Sequence, residues 1–113
     1  MSHYYLNDPN LKSDKRIITY EYYGKELKFY SDLGVFSKNK IDRGTDILLN
    51  TLELKGKKVL DLGCGIGVIG VALASRDEML EVTSTDVNER ALALAKENYE
   101  LNGIKNYSVF KSD

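Results

Sequence analysis

The sequence predicts an α/β fold: a parallel sheet with helical crossovers, entered through an antiparallel hairpin. Three observations carry this reading. β-forming residues fill Arg16–Tyr30 on either side of Gly24-Lys25. Strand-like and helix-like segments alternate from Lys57 to Lys111. The run LDLGCGIGVIG, Leu60 to Gly70, joins the first of those later strands to its helix through a glycine-rich turn.

The 113 residues make one domain or part of one. That is small for a doubly wound fold, whose βαβ units each take about 30 residues or more. Apolar residues at 42% and charged residues at 29% are ordinary for a soluble globular chain. The net charge of −1 gives no electrostatic reason for strong binding to nucleic acid or membrane by this chain alone. No apolar run approaches the ~20 residues of a membrane span, and no N-terminal signal pattern is present, so no membrane partner is expected. The single cysteine excludes an internal disulfide and fits a reducing cytoplasm, the expected location.

In chain order, residues 1–16 read as a polar, irregular arm. In RIITYEYYGKELKFYSD, Ile18, Tyr20 and Tyr22 share a face with Thr19 and Glu21 opposite, and Leu27 and Phe29 repeat the alternation after the break. Period two is that of a half-buried strand, so a hairpin turning near Gly24 is expected. A loop follows, then a helix over roughly Thr45–Leu54 with Ile47, Leu48, Leu52 and Leu54 on its apolar side. Lys57–Leu62 is a strand whose continuous VLDL suits a buried parallel position. Gly67 to Arg76 is a helix and Glu81–Thr85 the next strand. Asn88 caps a long helix ending at Leu101, with Gly103 just beyond as its C′ residue, and Tyr107–Lys111 is the last strand. Residues 1–54 thus form an arm, hairpin and first helix; residues 55–113 form the first half of a cofactor-binding α/β unit.

The glycine run satisfies two cofactor signatures. Gly63, Gly65 and Gly67 make G-x-G-x-G behind Asp61, while Gly65, Gly67 and Gly70 make the G-x-G-x-x-G of dinucleotide folds. Either cofactor would use the bare backbone at a helix N-terminus and an acid after the second strand, here Asp86, to accept ribose hydroxyls. Register separates them. A dinucleotide loop starts with the glycine directly after the strand, which here is Gly63, and its third glycine would then fall on Val68. Asp61 adds charge: two like charges ~4 Å apart repel by roughly 4 kcal/mol at an effective dielectric near 20, which disfavours a pyrophosphate. S-adenosylmethionine brings an ammonium and a sulfonium, which a carboxylate favours. A nicotinamide-dependent oxidoreductase stays as the alternative, and a non-catalytic binding module as a second.

The segments HYY, GVFSKNKIDRGT, VLDLGCGIGVIG, TDVNERALALAKENYELNG and FKSD, in this order, closely resemble the small methyltransferase domain family, which includes bacterial ribosomal RNA guanine-N2 methyltransferases. The chain is most similar to the single-domain members, and the resemblance runs along its whole length. It implies a Rossmann-like S-adenosylmethionine-dependent methyltransferase fold with an incomplete parallel sheet, acting on the exocyclic amine of guanine in ribosomal RNA. It implies that Asp61, Gly63, Gly65 and Gly67 form the cofactor loop, that Asp86 holds the ribose and that Asp113 meets the adenine amine. Phe36, Ser37, Asp42, Gly44 and Thr45 would close over the cofactor. The family continues into a fourth strand ending in Asn-Pro-Pro and an aromatic residue, which orients the target amine. The only proline here is Pro9, so the chain reads as the N-terminal part of such an enzyme, inactive alone, with a sheet edge open to self-association.

Other residues read as structure. His3 has no partners for acid-base or metal chemistry. Cys64 among glycines is a buried small residue, since a nucleophile needs a basic neighbour. Most of the eight tyrosines lie at strand period or on the arm, so packing explains them better than base stacking. Leu92, Ala95 and Tyr99 at helical spacing are core, and SKNKIDR is a solvated loop.

Overall fold

The structure, a computed structural model, describes residues 15–32 and 40–112. The arm with His3, the residues Phe36 and Ser37, and Asp113 lie outside the described residues. Strands β1 (Lys15–Tyr22) and β2 (Lys25–Asp32) pair antiparallel with Tyr22 opposite Lys25, leaving a two-residue loop. Tyr23 and Gly24 both take positive φ, 48° and 76°, the type I′ conformation whose twist matches the strands. The alternation holds: Ile18, Tyr22, Leu27 and Phe29 are buried.

Helix α1 (Arg43–Thr51) begins earlier than the apolar pattern suggested, because the Asp42 side chain caps it by accepting the Thr45 N–H. Its buried residue is Leu49, while Ile47 and Leu48 are exposed. The face turned to the hairpin is fixed by polar contacts instead. The Tyr20 hydroxyl donates to Asp46 at 2.7 Å, and the Tyr22 hydroxyl donates to the Leu49 carbonyl at 2.7 Å.

Strands β3 (Lys58–Leu62), β4 (Glu81–Asp86) and β5 (Tyr107–Lys111) form a parallel sheet in the order β3-β4-β5, linked by α2 (Val68–Arg76) and α3 (Glu89–Leu101). Asn88 caps α3 by accepting the Ala91 N–H at 3.0 Å, and Gly103 follows it at φ 73°. Of the three apolar residues assigned to the core of α3, Ala95 and Tyr99 are fully buried and Leu92 is half-buried.

One face of this sheet carries Val82 and Ser84 into the core, where Tyr99 stacks on Tyr107 with ring centroids 4.4 Å apart. Each large apolar side chain buried here contributes about 1.5–3 kcal/mol. The close packing explains Gly70, the third glycine of the dinucleotide-like spacing. A Cβ there would sit 1.9 Å from the Tyr99 hydroxyl, which is itself held by Ser84 at 2.7 Å. That glycine serves helix-to-helix approach rather than a ligand.

The opposite face exposes Leu60 at 61%, Leu62 at 71% and Phe110 at 58%. Thr83 and Thr85 lie between them in the ladder. A parallel sheet normally has both faces covered. Strand β3 also forms an edge, pairing only with β4 among the described residues.

Candidate cofactor site

The site lies at the C-terminal ends of β3 and β4, where a doubly wound sheet leaves its crevice. The turn after β3 is tied down by the strand beside it. Cys64 N–H donates to the Thr85 carbonyl at 2.8 Å and Gly65 N–H to Asp86 Oδ2 at 2.8 Å. Gly67 N–H closes back on the Cys64 carbonyl at 3.0 Å. Asp86 Oδ1 in turn accepts the Asn88 N–H at 2.9 Å, so one carboxylate joins the glycine loop to the start of α3.

Gly65 sits at φ +56°, a region that β-branched residues scarcely enter, and a Cβ added there meets nothing within 4 Å. The backbone therefore faces open space that a side chain would fill. Gly67, at φ +92°, instead lies 3.3 Å from Ala95 as a built Cβ and brings α2 against α3.

Asp61 stands in β3 just ahead of this loop and is 9% exposed. Among the described residues its buried Oδ2 has no hydrogen-bond partner. Burial pushes its carboxyl above the usual carboxylate range; the Gly70 backbone hydrogen bond pulls it back, and the charge of Asp86 adds to the push. A buried acceptor with a free oxygen and a second carboxylate nearby favours a cationic ligand and opposes a phosphate. The residues present thus fit S-adenosylmethionine and not a pyrophosphate. Cys64, between them, is a buried thiol pushed up to about 12, first by desolvation and then by these two acids, so it is no nucleophile.

Beside the loop is a cavity of about 210 Å³ lined by Asp42, Thr45, Gly63 and Gly65, four of the residues singled out from sequence. Its apolar wall is Ile41, Cys64, Ile66, Val68 and Ile69. Asp42 uses its carboxylate within α1, accepting from Thr45 N–H at 3.2 Å and the Thr45 hydroxyl at 2.7 Å. Gly44 is exposed and does not line the cavity; a Cβ there would press on Asp42 Oδ2 at 3.2 Å, so it gives the cap room. Gly67 caps α2. Asn98, which holds the loop from α3 by donating to the Ile66 carbonyl, was missed in the sequence, although an asparagine on the buried stripe of Ala91, Leu94 and Ala95 is a readable anomaly.

Together the fold and the loop define a Rossmann-like methyltransferase fold with a cation-favouring cofactor crevice. The family model of the methyltransferase small domain matches residues 26–113. The chain belongs to that family, whose cofactor is S-adenosylmethionine. It is 42% identical to the uncharacterized protein YbxB of Bacillus subtilis (strain 168) over 98% of this chain and 56% of that one. It is 40% identical to ribosomal RNA small subunit methyltransferase C of Haemophilus influenzae (strain ATCC 51907 / DSM 11121 / KW20 / Rd), over 95% of this chain and 33% of the relative. The chain therefore spans about half or less of these relatives. Among solved structures, the Pyrococcus abyssi tRNA (uracil-54, C5)-methyltransferase in complex with S-adenosyl-L-homocysteine matches with a TM-score of 0.67 and 23% identity, over 86% of this chain and 24% of that one, and shows the fold. A ribosomal protein L11 methylase from Lactobacillus delbrueckii subsp. bulgaricus matches at TM-score 0.51 and 26% identity, over 60% of this chain and 35% of that one.

Proposed function

We propose that this chain is the cofactor-binding part of a methyltransferase acting on the exocyclic amine of guanine in ribosomal RNA. The observation that carries the reading is Asp61 Oδ2, a buried carboxylate oxygen with no partner among the described residues, just ahead of an open glycine backbone. Such an oxygen suits a cofactor that arrives with positive charge. When bound, S-adenosylmethionine supplies a methyl group on an electron-poor sulfur for transfer to a nucleophile. The part of this chain is to hold and aim it. Asp61 faces the cationic end, Gly63 and Gly65 leave room along the backbone, and Asp86 accepts ribose hydroxyls with the lone pairs its loop contacts leave free. Asp42 and Thr45 form the cover on one side, Gly44 leaves the Asp42 cap room, and the resemblance assigns Phe36 and Ser37 to the same cover and Asp113 to the adenine.

The guanine target rests on the resemblance, and the ribosomal RNA substrate also on relatives named as ribosomal RNA small subunit methyltransferases. Such a substrate places the reaction in the cytoplasm. Calorimetric titration with S-adenosylmethionine and with NAD tests the reading: heat with the first and none with the second is expected, and the reverse result returns the oxidoreductase alternative.

The open face of the sheet supports a second copy of the chain as partner, seated on the β3 edge around Leu60 and Leu62. Light scattering over a dilution series is expected to find mass falling with concentration, and a monomer throughout overturns the self-association.

A further inference from the structure

Asn98 on α3 and Asn102, its C-cap, lie one turn apart and meet alternate residues of β2. Asn98 Oδ1 accepts the Tyr30 N–H at 2.7 Å, and its Nδ2 donates to the Tyr30 carbonyl at 3.1 Å. Asn102 repeats the pair on Lys28, accepting its N–H at 3.0 Å and donating to its carbonyl at 2.7 Å. Four residues of helix rise about 6.0 Å and two of strand about 6.6–6.8 Å, so the two periods match closely enough for side-chain amides to stand where a neighbouring strand would be. The edge of β2 is thereby closed by a helix.

The two asparagines differ in one respect. Asn98 is fully buried, and its Nδ2 also donates to the Ile66 carbonyl at 2.8 Å. Ile66 stands between Gly65 and Gly67 in the cofactor loop and lines the cavity beside it. The peptide joining Ile66 to Gly67 is then held at both ends, its carbonyl by Asn98 and its N–H by the Cys64 carbonyl. Asn102 makes its third contact with the Asn98 carbonyl, at the end of α3, and among the described residues none of its hydrogen bonds reaches the loop.

We propose that Asn98 is a positioning residue that couples the hairpin to the cofactor loop, so that cofactor binding and the docking of β2 on α3 reinforce each other. The proposal rests on the reading of the loop as an S-adenosylmethionine site. A mutual gain follows because binding is reciprocal: whatever the hairpin contact adds to ligand affinity, the ligand adds to the contact.

The test uses the 113-residue chain and S-adenosylhomocysteine as probe. Asn98→Ala and Asn102→Ala each remove one pair of bonds to β2, so both lower the denaturation midpoint. Only Asn98→Ala is expected to weaken the probe, by about tenfold, the scale of one buried hydrogen bond. Equal affinities for the two variants would overturn the coupling. Amide hydrogen exchange on the unmutated chain gives the same answer if Asn98→Ala does not fold. Saturating probe is expected to slow exchange at Tyr30 several-fold more than at Lys28, and equal slowing, or none, overturns the proposal. A chain that binds no probe at all instead sinks the cofactor reading, a result distinct from either.

Discussion

Two carboxylates stand at the ends of adjacent strands beside one glycine loop. Asp86, half-buried, has Oδ2 on the Gly65 N–H and Oδ1 on the Asn88 N–H. Asp61, buried, keeps Oδ2 without a partner among the described residues and is pushed above the usual carboxylate range by desolvation. The first is fastened into the fold and shapes the loop; the second is held ready at a cost in solvation. The difference teaches where the ligand contributes. Asp86 meets a cofactor only with the lone pairs its loop contacts leave free, whereas a buried acceptor unsatisfied among the described residues gains its partner from the ligand.

The loop between the two acids is the sharpest place to test this. Gly65→Val places a branched side chain at φ +56° in open space that the ligand needs, and strains the backbone as well. Cofactor affinity is expected to fall by on the order of a hundredfold or more while the circular dichroism spectrum keeps its helix content. Calorimetry finding normal affinity would make the loop structural and move the site elsewhere.

Asp86→Ala is expected to act on both fold and ligand. Two backbone N–H groups lose a charged acceptor, at about 1.5–3 kcal/mol for such a bond, and ribose hydroxyls lose theirs. Affinity should drop about tenfold or more, with a lowered denaturation midpoint, because the loop itself loosens. A variant with wild-type stability and weakened binding would mean that Asp86 only touches ligand, and the contrast with Asp61 would narrow.

Much of this was legible in the sequence, for local reasons. The hairpin follows from period-two patterning with a two-residue break, and the end of β3 from a short apolar run stopped by Gly63. Helix α1 was displaced because capping by Asp42, not apolar spacing, sets its start, and its hairpin face is made by Tyr20 and Tyr22 hydroxyls reaching polar groups. Sequence spacing also could not tell a ligand glycine from a packing glycine. Gly65 faces open space while Gly70 faces the Tyr99 hydroxyl, which lies far along the chain. The asparagine bridges join residues 74 and 68 positions apart, and nothing local announces such a pair.

The smallest expected effect separates the two acids by pH. The Asp61 carboxyl titrates above its ordinary value of 3.8 in the folded chain, so the folded state binds that proton more tightly than the unfolded one. The stabilisation from protonating it is present in full below the ordinary value and is lost as pH rises through the folded one. Asp61→Asn keeps the shape, still offers an oxygen to the Gly70 backbone and carries no charge to desolvate. The variant should therefore gain stability relative to wild type as pH rises above 3.8, with the gap levelling off once the folded carboxyl has ionised, while its affinity for S-adenosylmethionine is reduced at neutral pH because the buried negative charge is gone. Urea titrations of both proteins across that range measure the gap directly. A gap that stays constant with pH would mean that Asp61 titrates alike in the folded and unfolded chains, and its place as the strained partner of Asp86 would be lost.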